Sequence, residues 1–512
     1  MGWSVFPDLR IVKGLAVDKT IAVPSKRLPW PEFLSTLVWN GEFYYPRDGS
    51  SYNATYFKAA SLGEIRGAWE KTLALIRTGA APQDIGLYIH WPFCPSHCDF
   101  CACSMAVPKN QAEMEAALEA ILKEMDSFSE IFKGYSFSSF WMGGGTPTFM
   151  TDEMLESLMS YVHKSFAFSH DAQIYVEASP ATLTDSKLDI LLGYGLNRIT
   201  LGIQSFDDSL VKTVDRQGQK RERTLKIFEK LKSVSGLTVD VDLMIGLDGQ
   251  SREIFLEDVK NILELRPHFL HVYGFDDRPQ TLWSTRGKSL SKERRQNQRA
   301  LLGQADKVFQ GLGYLTQRDD ISEPSLYPWE EKQDGGLRKF RSSVLGIGPS
   351  AISHAFGAAW YMHPLVGRAE YGSVPTFLWM ESDREEEMRG YAIWYLSRNH
   401  RLSRKAFLKL FGEDIMKTGL SGIIGSWANL FLANIDDDFI SLKPMDLPDR
   451  EVLLKGLYSR KIISALGSKW AKELKSFCGS FPGDGSWREK VRRKNDYSEF
   501  RVYRDSRFWD RK

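Results

Sequence analysis

From Ile85 to about Tyr273, short apolar runs alternate with stretches whose apolar residues recur at helical spacing. The runs Gly86–Ile89, Phe137–Met142, Gln173–Glu177, Arg198–Ile203, Val239–Ile245 and Phe269–Tyr273 have the length and character of strands. Between two of them, Leu188, Leu191 and Leu192 follow a Thr184 N-cap, and Gly195 closes the turn. Phe255, Val259, Ile262 and Leu263 lead up to the breaker Pro267. Upstream, Ser61-Leu-Gly-Glu64 forms a capping box, Ile65, Trp69, Leu73 and Ile76 share one helix face, and Gly79 can end that helix. Alternating strand and helix predicts a parallel sheet with covering helices. Six such units fit an open barrel better than a closed eightfold one, with functional groups at the strand C-termini.

Beyond the alternating region the pattern loosens. A loop-like stretch, Ile321–Arg341, precedes the Gly-rich Leu345–Ser353, and residues 390–445 read as helices followed by a small strand pair that includes Phe439–Leu442. The last 25 or so residues are rich in Arg, Lys, Tyr and Trp and read as a solvated basic tail. Composition changes this picture little. The chain has 512 residues, a net charge of +2 and a hydrophobic fraction of 43%, values of a soluble globular protein without a nucleic-acid-binding field. No apolar run approaches the roughly 18 to 20 residues of a membrane helix, and no secretory h-region follows Met1. The expectation is a cytoplasmic protein with neither nucleic-acid nor membrane partners. Most of the 15 tryptophans are expected in packing roles.

Candidate chemistry changes it more. Four of the five cysteines, Cys94, Cys98, Cys101 and Cys103, fall within ten residues, directly after the first barrel strand. A structural zinc site would want a second ligand pair elsewhere, and only Cys478 remains. A disulfide framework suits small secreted chains, and a buried, metal-free loop leaves the clustering unexplained. Spacings of three and then two let one loop wrap three thiolates around an iron–sulfur cube, leaving one iron open. Further along, Gly143, Gly144 and Gly145, followed by Thr146, remove three side chains where a strand turns into a helix, so that a ligand can lie against bare backbone. A tight turn alone would use the same residues. Glu177 and Gln204 end strands, and Asp242 interrupts an apolar run, a position that is costly unless the carboxylate finds a partner.

Tyr88-Ile-His-Trp-Pro-Phe-Cys94, together with the spacing of the four cysteines, resembles the signature of radical S-adenosylmethionine (radical SAM) enzymes, and more narrowly oxygen-independent coproporphyrinogen III dehydrogenase and its relatives. The resemblance implies an α/β fold: a partial (β/α)6 barrel with an N-terminal segment and a small C-terminal α+β domain. It divides the chain at 1–84, 85–320, 321–445 and a basic extension at 446–512. It implies that Cys94, Cys98 and Cys101 hold a 4Fe-4S cluster whose open iron is chelated by SAM. Gly143–Thr146 would meet the methionine end of SAM, Arg216 its carboxylate and Tyr88 its adenine, while Glu177, Gln204 and Asp242 match further SAM-site segments. Cys103 is assigned a neighbouring role, because a fourth ligand would close the cluster; with Tyr88 it is a candidate for a direct part in catalysis. An electron from a donor such as flavodoxin or ferredoxin would then cleave SAM to methionine and a 5′-deoxyadenosyl radical that abstracts hydrogen.

Relatives of this kind diverge once the radical has formed. The Arg-Tyr-Thr-Ser-Tyr-Pro segment of the porphyrin enzyme is absent, with Arg27-Leu-Pro-Trp-Pro31 in its place, and Asp334-Gly335-Gly336 replaces its Gln-Gly-Tyr. The favoured expectation is therefore a two-SAM transfer of a methyl or methylene group, C-methylation or cyclopropanation, to an sp2 carbon of an aromatic or heteroaromatic molecule. Ile352 is the residue that matches a second SAM site. Coproporphyrinogen dehydrogenation is the alternative, as is a chaperone or modifying enzyme of haem, so a tetrapyrrole is the other substrate class.

Overall fold

A computed structural model describes residues 58–216, 218–275, 281–311, 314–317, 343–364, 377–444 and 500–505, with a few single positions besides. Segments 27–31, 321–341 and 334–336, and Cys478, lie outside the described residues. Six parallel strands form the centre: β2 (Ile85–Trp91), β3 (Ser136–Gly144), β4 (Ala167–Ala178), β5 (Arg198–Gln204), β6 (Thr238–Ile245) and β7 (Phe269–Gly274). Each contains one of the six runs read from the sequence. The helices between them bury Leu155, Leu158, Leu188, Leu191, Phe228, Val259 and Ile262 in one main core with the strands' outward residues. The helix Leu62–Arg77 opens on the reciprocal Ser61–Glu64 capping box and buries Ile65, Trp69, Leu73 and Ile76. Thr184 caps the helix Asp185–Gly193, and Arg266, in the left-handed region one residue before Pro267, ends the helix Arg252–Leu265.

The sheet continues past both ends of this parallel set. On one side β9 (Ser343–Ile347) runs parallel to β2, followed by the antiparallel β10 (Ile352–Ala355), β11 (Ala359–Met362), β12 (Phe377–Glu381) and β1 (Lys58–Ala60). On the other side β16 (Phe500–Asp505) lies antiparallel to β7 and joins it to β8 (Tyr314–Gln317), giving thirteen strands in all. At residues 500–505 this corrects the reading of the C-terminus as a solvated tail. The Arg and Lys residues dominated its composition, whereas Phe500-Arg-Val-Tyr-Arg-Asp505 contains enough β-forming residues to occupy the open edge that β7 offers. A separate small sheet, β13 (Arg401–Ser403), β15 (Phe439–Leu442) and β14 (Ala433–Ile435), packs with helices 404–411 and 421–429.

The register of the parallel strands decides which side chains share the barrel interior. Tyr88, Trp141, Tyr175 and Arg198 are consecutive partners across β2 to β5. They form a ladder: Tyr88 to Trp141 at 4.8 Å, Trp141 stacked on Tyr175 at 5.6 Å, and the Arg198 guanidinium 5.3 Å from the Tyr175 ring. Arg198 then pairs with Asp240 at 2.6 Å, both side chains almost fully buried. A lone buried charge would be prohibitive, so the sequence places both partners on neighbouring strands. This floor sits beneath the strand C-termini, where the next inward positions are His90, Gly143 and Glu177, in register with Thr200 and Asp240, and Gly202 and Asp242 follow two residues further along β5 and β6.

Candidate functional site

The cysteine loop leaves β2 across those C-termini, and backbone bonds fix its path. Cys94 N–H donates to Ala106 (3.0 Å), Cys101 N–H to Cys98 (3.0 Å) and Asp99 N–H to Val214 (3.0 Å). Asp99 also takes the Arg286 guanidinium at 2.7 Å, and Phe100 packs against the satellite core of Leu210, Val214, Met244, Phe275 and Trp283. The loop is thus anchored on both the β5 and β7 sides of the mouth.

Glycines bring the second segment against it. Gly145 N–H donates to Trp91 O (2.7 Å) and Thr146 N–H to Phe93 O (2.8 Å), while the Thr146 hydroxyl lies 3.1 Å from Cys94 Sγ. A Cβ on Gly145 would stand 2.5 Å from the Phe93 carbonyl oxygen. At Gly144, φ is +104°, and a Cβ would meet the His90 ring at 2.6 Å. At Gly143 it would lie 2.9 Å from the Glu177 carboxylate, so the missing side chain leaves Glu177 facing bare backbone.

Arg216 gathers the third side. Its guanidinium donates to the Gly202 carbonyl, to Gln219 Oε1 at 2.7 Å and towards Cys98 Sγ at 3.9 Å. Gln219 in turn donates to the carbonyls of Ile203 (2.7 Å) and Ser205 (3.0 Å). Those carbonyls flank Gln204, which adopts φ +67° just after a register shift between β5 and β6. A side chain held in the left-handed region at a bulge is typical of a residue aimed for function.

Burial pushes the Cys94 thiol up to about 12, with Thr146 pulling it back, and raises Cys98 against the pull of Arg216. Thiols in such surroundings become thiolates only beside a compensating cation, which bound iron supplies. Among the described residues, no three His, Cys, Asp or Glu side chains converge on one ion. A cluster, by contrast, takes its thiolates on separate irons. The donor set therefore fits an iron–sulfur cluster, while the space beside Gly143, Gly144 and Gly145 is taken by Glu177, His90 and the Phe93 backbone.

The structure brings Cys94, Cys98, Gly143, Gly144, Gly145, Thr146, Glu177, Gln204 and Arg216 to this mouth. Cys103 is the exposed member of the four and lies within electrostatic reach of Cys94. Asp242 stands opposite Gly202 across β5 and β6. Tyr88 is one row deeper, in the ladder, with its hydroxyl 2.9 Å from His90 Nδ1; His90 Nε2 donates to Ser104 O at 2.8 Å. Ile352 packs in the main core at 5% exposure, and its neighbour Ala351 faces the ladder. Sequence reasoning missed His271, the partner of Asp242, as well as His90 and Arg198. For His90 and His271 a polar residue interrupting an apolar run was the available signal, whereas Arg198 stands at the start of its run.

Residues 88–262 match the profile of the Radical SAM superfamily. A 4Fe-4S cluster and SAM are the cofactors that this superfamily implies. The curated relatives that the chain resembles include oxygen-independent coproporphyrinogen III oxidases. The chain is 28% identical to oxygen-independent coproporphyrinogen III oxidase of Escherichia coli (strain K12) over 286 residues, covering 53% of this chain and 61% of that one. It is 26% identical to the Pseudomonas aeruginosa protein of that name, covering 62% and 72%. To heme chaperone HemW of Buchnera aphidicola it is 27% identical, covering 52% and 69%. The solved structure of E. coli coproporphyrinogen III oxidase (HemN) superposes with a TM-score of 0.60 at 22% identity, over 77% of this chain and 93% of that one, a likeness of fold. The chain spans about 61% of the length of the first of these curated relatives. No helix among the described residues is long and apolar enough to cross a membrane.

Proposed function

We propose that this protein is a radical SAM enzyme that opens its reaction by hydrogen abstraction from an aromatic, heteroaromatic or tetrapyrrole substrate, of which a tetrapyrrole is the best-supported class. The convergence of the cysteine loop, Gly143–Thr146, Glu177, Gln204 and Arg216 on one barrel mouth carries the reading. Cys94, Cys98 and Cys101 would hold the cluster. Together, cluster and SAM supply reductive cleavage of a carbon–sulfur bond, the electron coming from an external donor such as flavodoxin or ferredoxin.

The chain's own residues do the rest. Arg216, fixed by the Gly202 carbonyl and Gln219, offers a cation for the SAM carboxylate. Glu177 offers an acceptor for its ammonium group beside the bare Gly143 backbone. The ladder of Tyr88, Trp141 and Tyr175 closes the barrel floor to water, which protects a reactive species from side reactions. The names of the relatives support a tetrapyrrole. Methyl or methylene transfer needs a second SAM at the Gly-rich segment, and the burial of Ile352 in the core does not support it.

The test is anaerobic turnover of reconstituted protein with SAM, dithionite and coproporphyrinogen III. The expected result is 5′-deoxyadenosine together with a tetrapyrrole that has lost carbon dioxide and two hydrogens from a propionate. S-adenosylhomocysteine with a methylated product from an aromatic substrate would instead establish the two-SAM reaction. Tight haem binding without turnover would place the protein with the chaperones.

A further inference from the structure

Asp242 and His271 are direct partners in the register of β6 and β7. His271 Nδ1 lies 2.8 Å from Asp242 Oδ1. A carboxylate oxygen accepts, so Nδ1 carries the proton and donates it. The imidazole is wholly buried, whereas the Asp242 side chain keeps 18% of its surface open. A strand reading Phe269-Leu-His-Val-Tyr273 gains nothing in packing from a buried histidine, whose polar ring costs free energy unless it is bonded. The residue type makes sense as a donor to Asp242. With one carboxylate oxygen held, rotation of the group is stopped and its other oxygen keeps a fixed place. On the opposite side the register neighbour is Gly202, without a side chain to crowd it, and the Gly202 carbonyl already anchors Arg216.

We propose that His271 is a positioning residue: its Nδ1–H orients Asp242 to accept from a hydroxyl or ammonium donor of SAM. The inference rests on the SAM-site reading above, and it assigns to β7 a role in a site otherwise built from β2 to β6. Pre-ordering an acceptor removes an ordering cost that the ligand would otherwise meet on binding.

The experiment measures the dissociation constants of SAM and S-adenosylhomocysteine by anaerobic calorimetry on the full-length, cluster-loaded protein, with iron content and melting temperature recorded for every variant. His271→Leu should weaken both ligands by about tenfold or more, the weight of a hydrogen bond to a charged group. His271→Asn, which keeps an N–H near the Nδ1 position, should recover most of that loss. His271→Gln, which carries its N–H at the Nε2 end, should not. Equal affinity in wild type and His271→Leu at equal iron content would overturn the inference. So would equal weakening in the Asn and Gln variants, which would assign the effect to packing. If His271→Leu does not fold, the contrast between Asn and Gln decides alone. Wild-type protein with four irons and no affinity for either ligand would sink the SAM-site reading itself, a different failure from any of these.

Discussion

Cys103 differs from its three neighbours in being exposed, and as a fourth ligand it would close the iron that SAM needs. Cys101→Ala should therefore abolish cluster assembly, whereas Cys103→Ser should keep iron content and SAM cleavage while impairing product formation. Iron analysis with the charge-transfer absorbance separates the two variants, and loss of the cluster in Cys103→Ser would show that the assignment is wrong. Gly145 makes a second residue-scale claim. Its absent Cβ would sit 2.5 Å from a backbone oxygen of Phe93, which cannot rotate away. Gly145→Ala should separate the Gly143–Thr146 segment from the cysteine loop and destabilise the fold by roughly 1–3 kcal/mol, as overpacking does. A crystal structure of the variant with the Thr146–Cys94 contact intact and unchanged thermal stability would contradict this. At this scale the sequence was informative where a residue type is chemically restrictive. The cysteines and the triple glycine were legible for that reason, whereas Arg216 came from the family resemblance alone. His271 was not, because a single histidine in a strand has many uses until register supplies its neighbour.

Between residues and the whole lies the turn after β5, which the helix Arg252–Leu265 holds through Asp258. That carboxylate accepts from the Ser205 hydroxyl (2.7 Å) and the Phe206 N–H (2.6 Å), and burial pushes its carboxyl up to about 7. The folded protein thus keeps a proton on Asp258 that the unfolded chain releases near the ordinary value of 3.8. Folding takes up a proton between those values, so this contribution to stability falls as pH rises from about 4 to about 7 and is level above. Asp258→Asn should flatten that part of the profile, seen as melting temperatures recorded from about pH 5 to about pH 7.5. An identical profile in the variant would remove Asp258 as the cause. The element scale was also the most legible. Six strand runs and the Ser61–Glu64 and Thr184 caps were readable because parallel strands and helix starts are specified locally. β16 was not, since its composition resembles a tail and only the exposed edge of β7, some 230 residues earlier, makes it a strand.

For the whole molecule, β16 is the join: without it β8 has no partner in the sheet, and β7, which carries His271, becomes an edge. Removing residues 500–512 should lower the melting temperature by roughly 3–10 °C and weaken SAM binding along with it. Unchanged stability and affinity would mean that β16 decorates the barrel and does not brace it. The branch of chemistry obeys the same logic of scale. Local motifs identified a radical SAM protein, but the substrate class depends on surfaces assembled from distant segments, and there the relatives shift the balance from methyl transfer towards tetrapyrroles. All of this chemistry depends on one reaction, the reductive cleavage of SAM. Mass-spectrometric detection of 5′-deoxyadenosine after anaerobic cluster reconstitution, with SAM and dithionite present and Cys101→Ala as control, tests it most directly. Wild type should give the product and the variant none. A protein carrying four irons and bound SAM that yields no 5′-deoxyadenosine, with or without a tetrapyrrole, would contradict radical chemistry at this site.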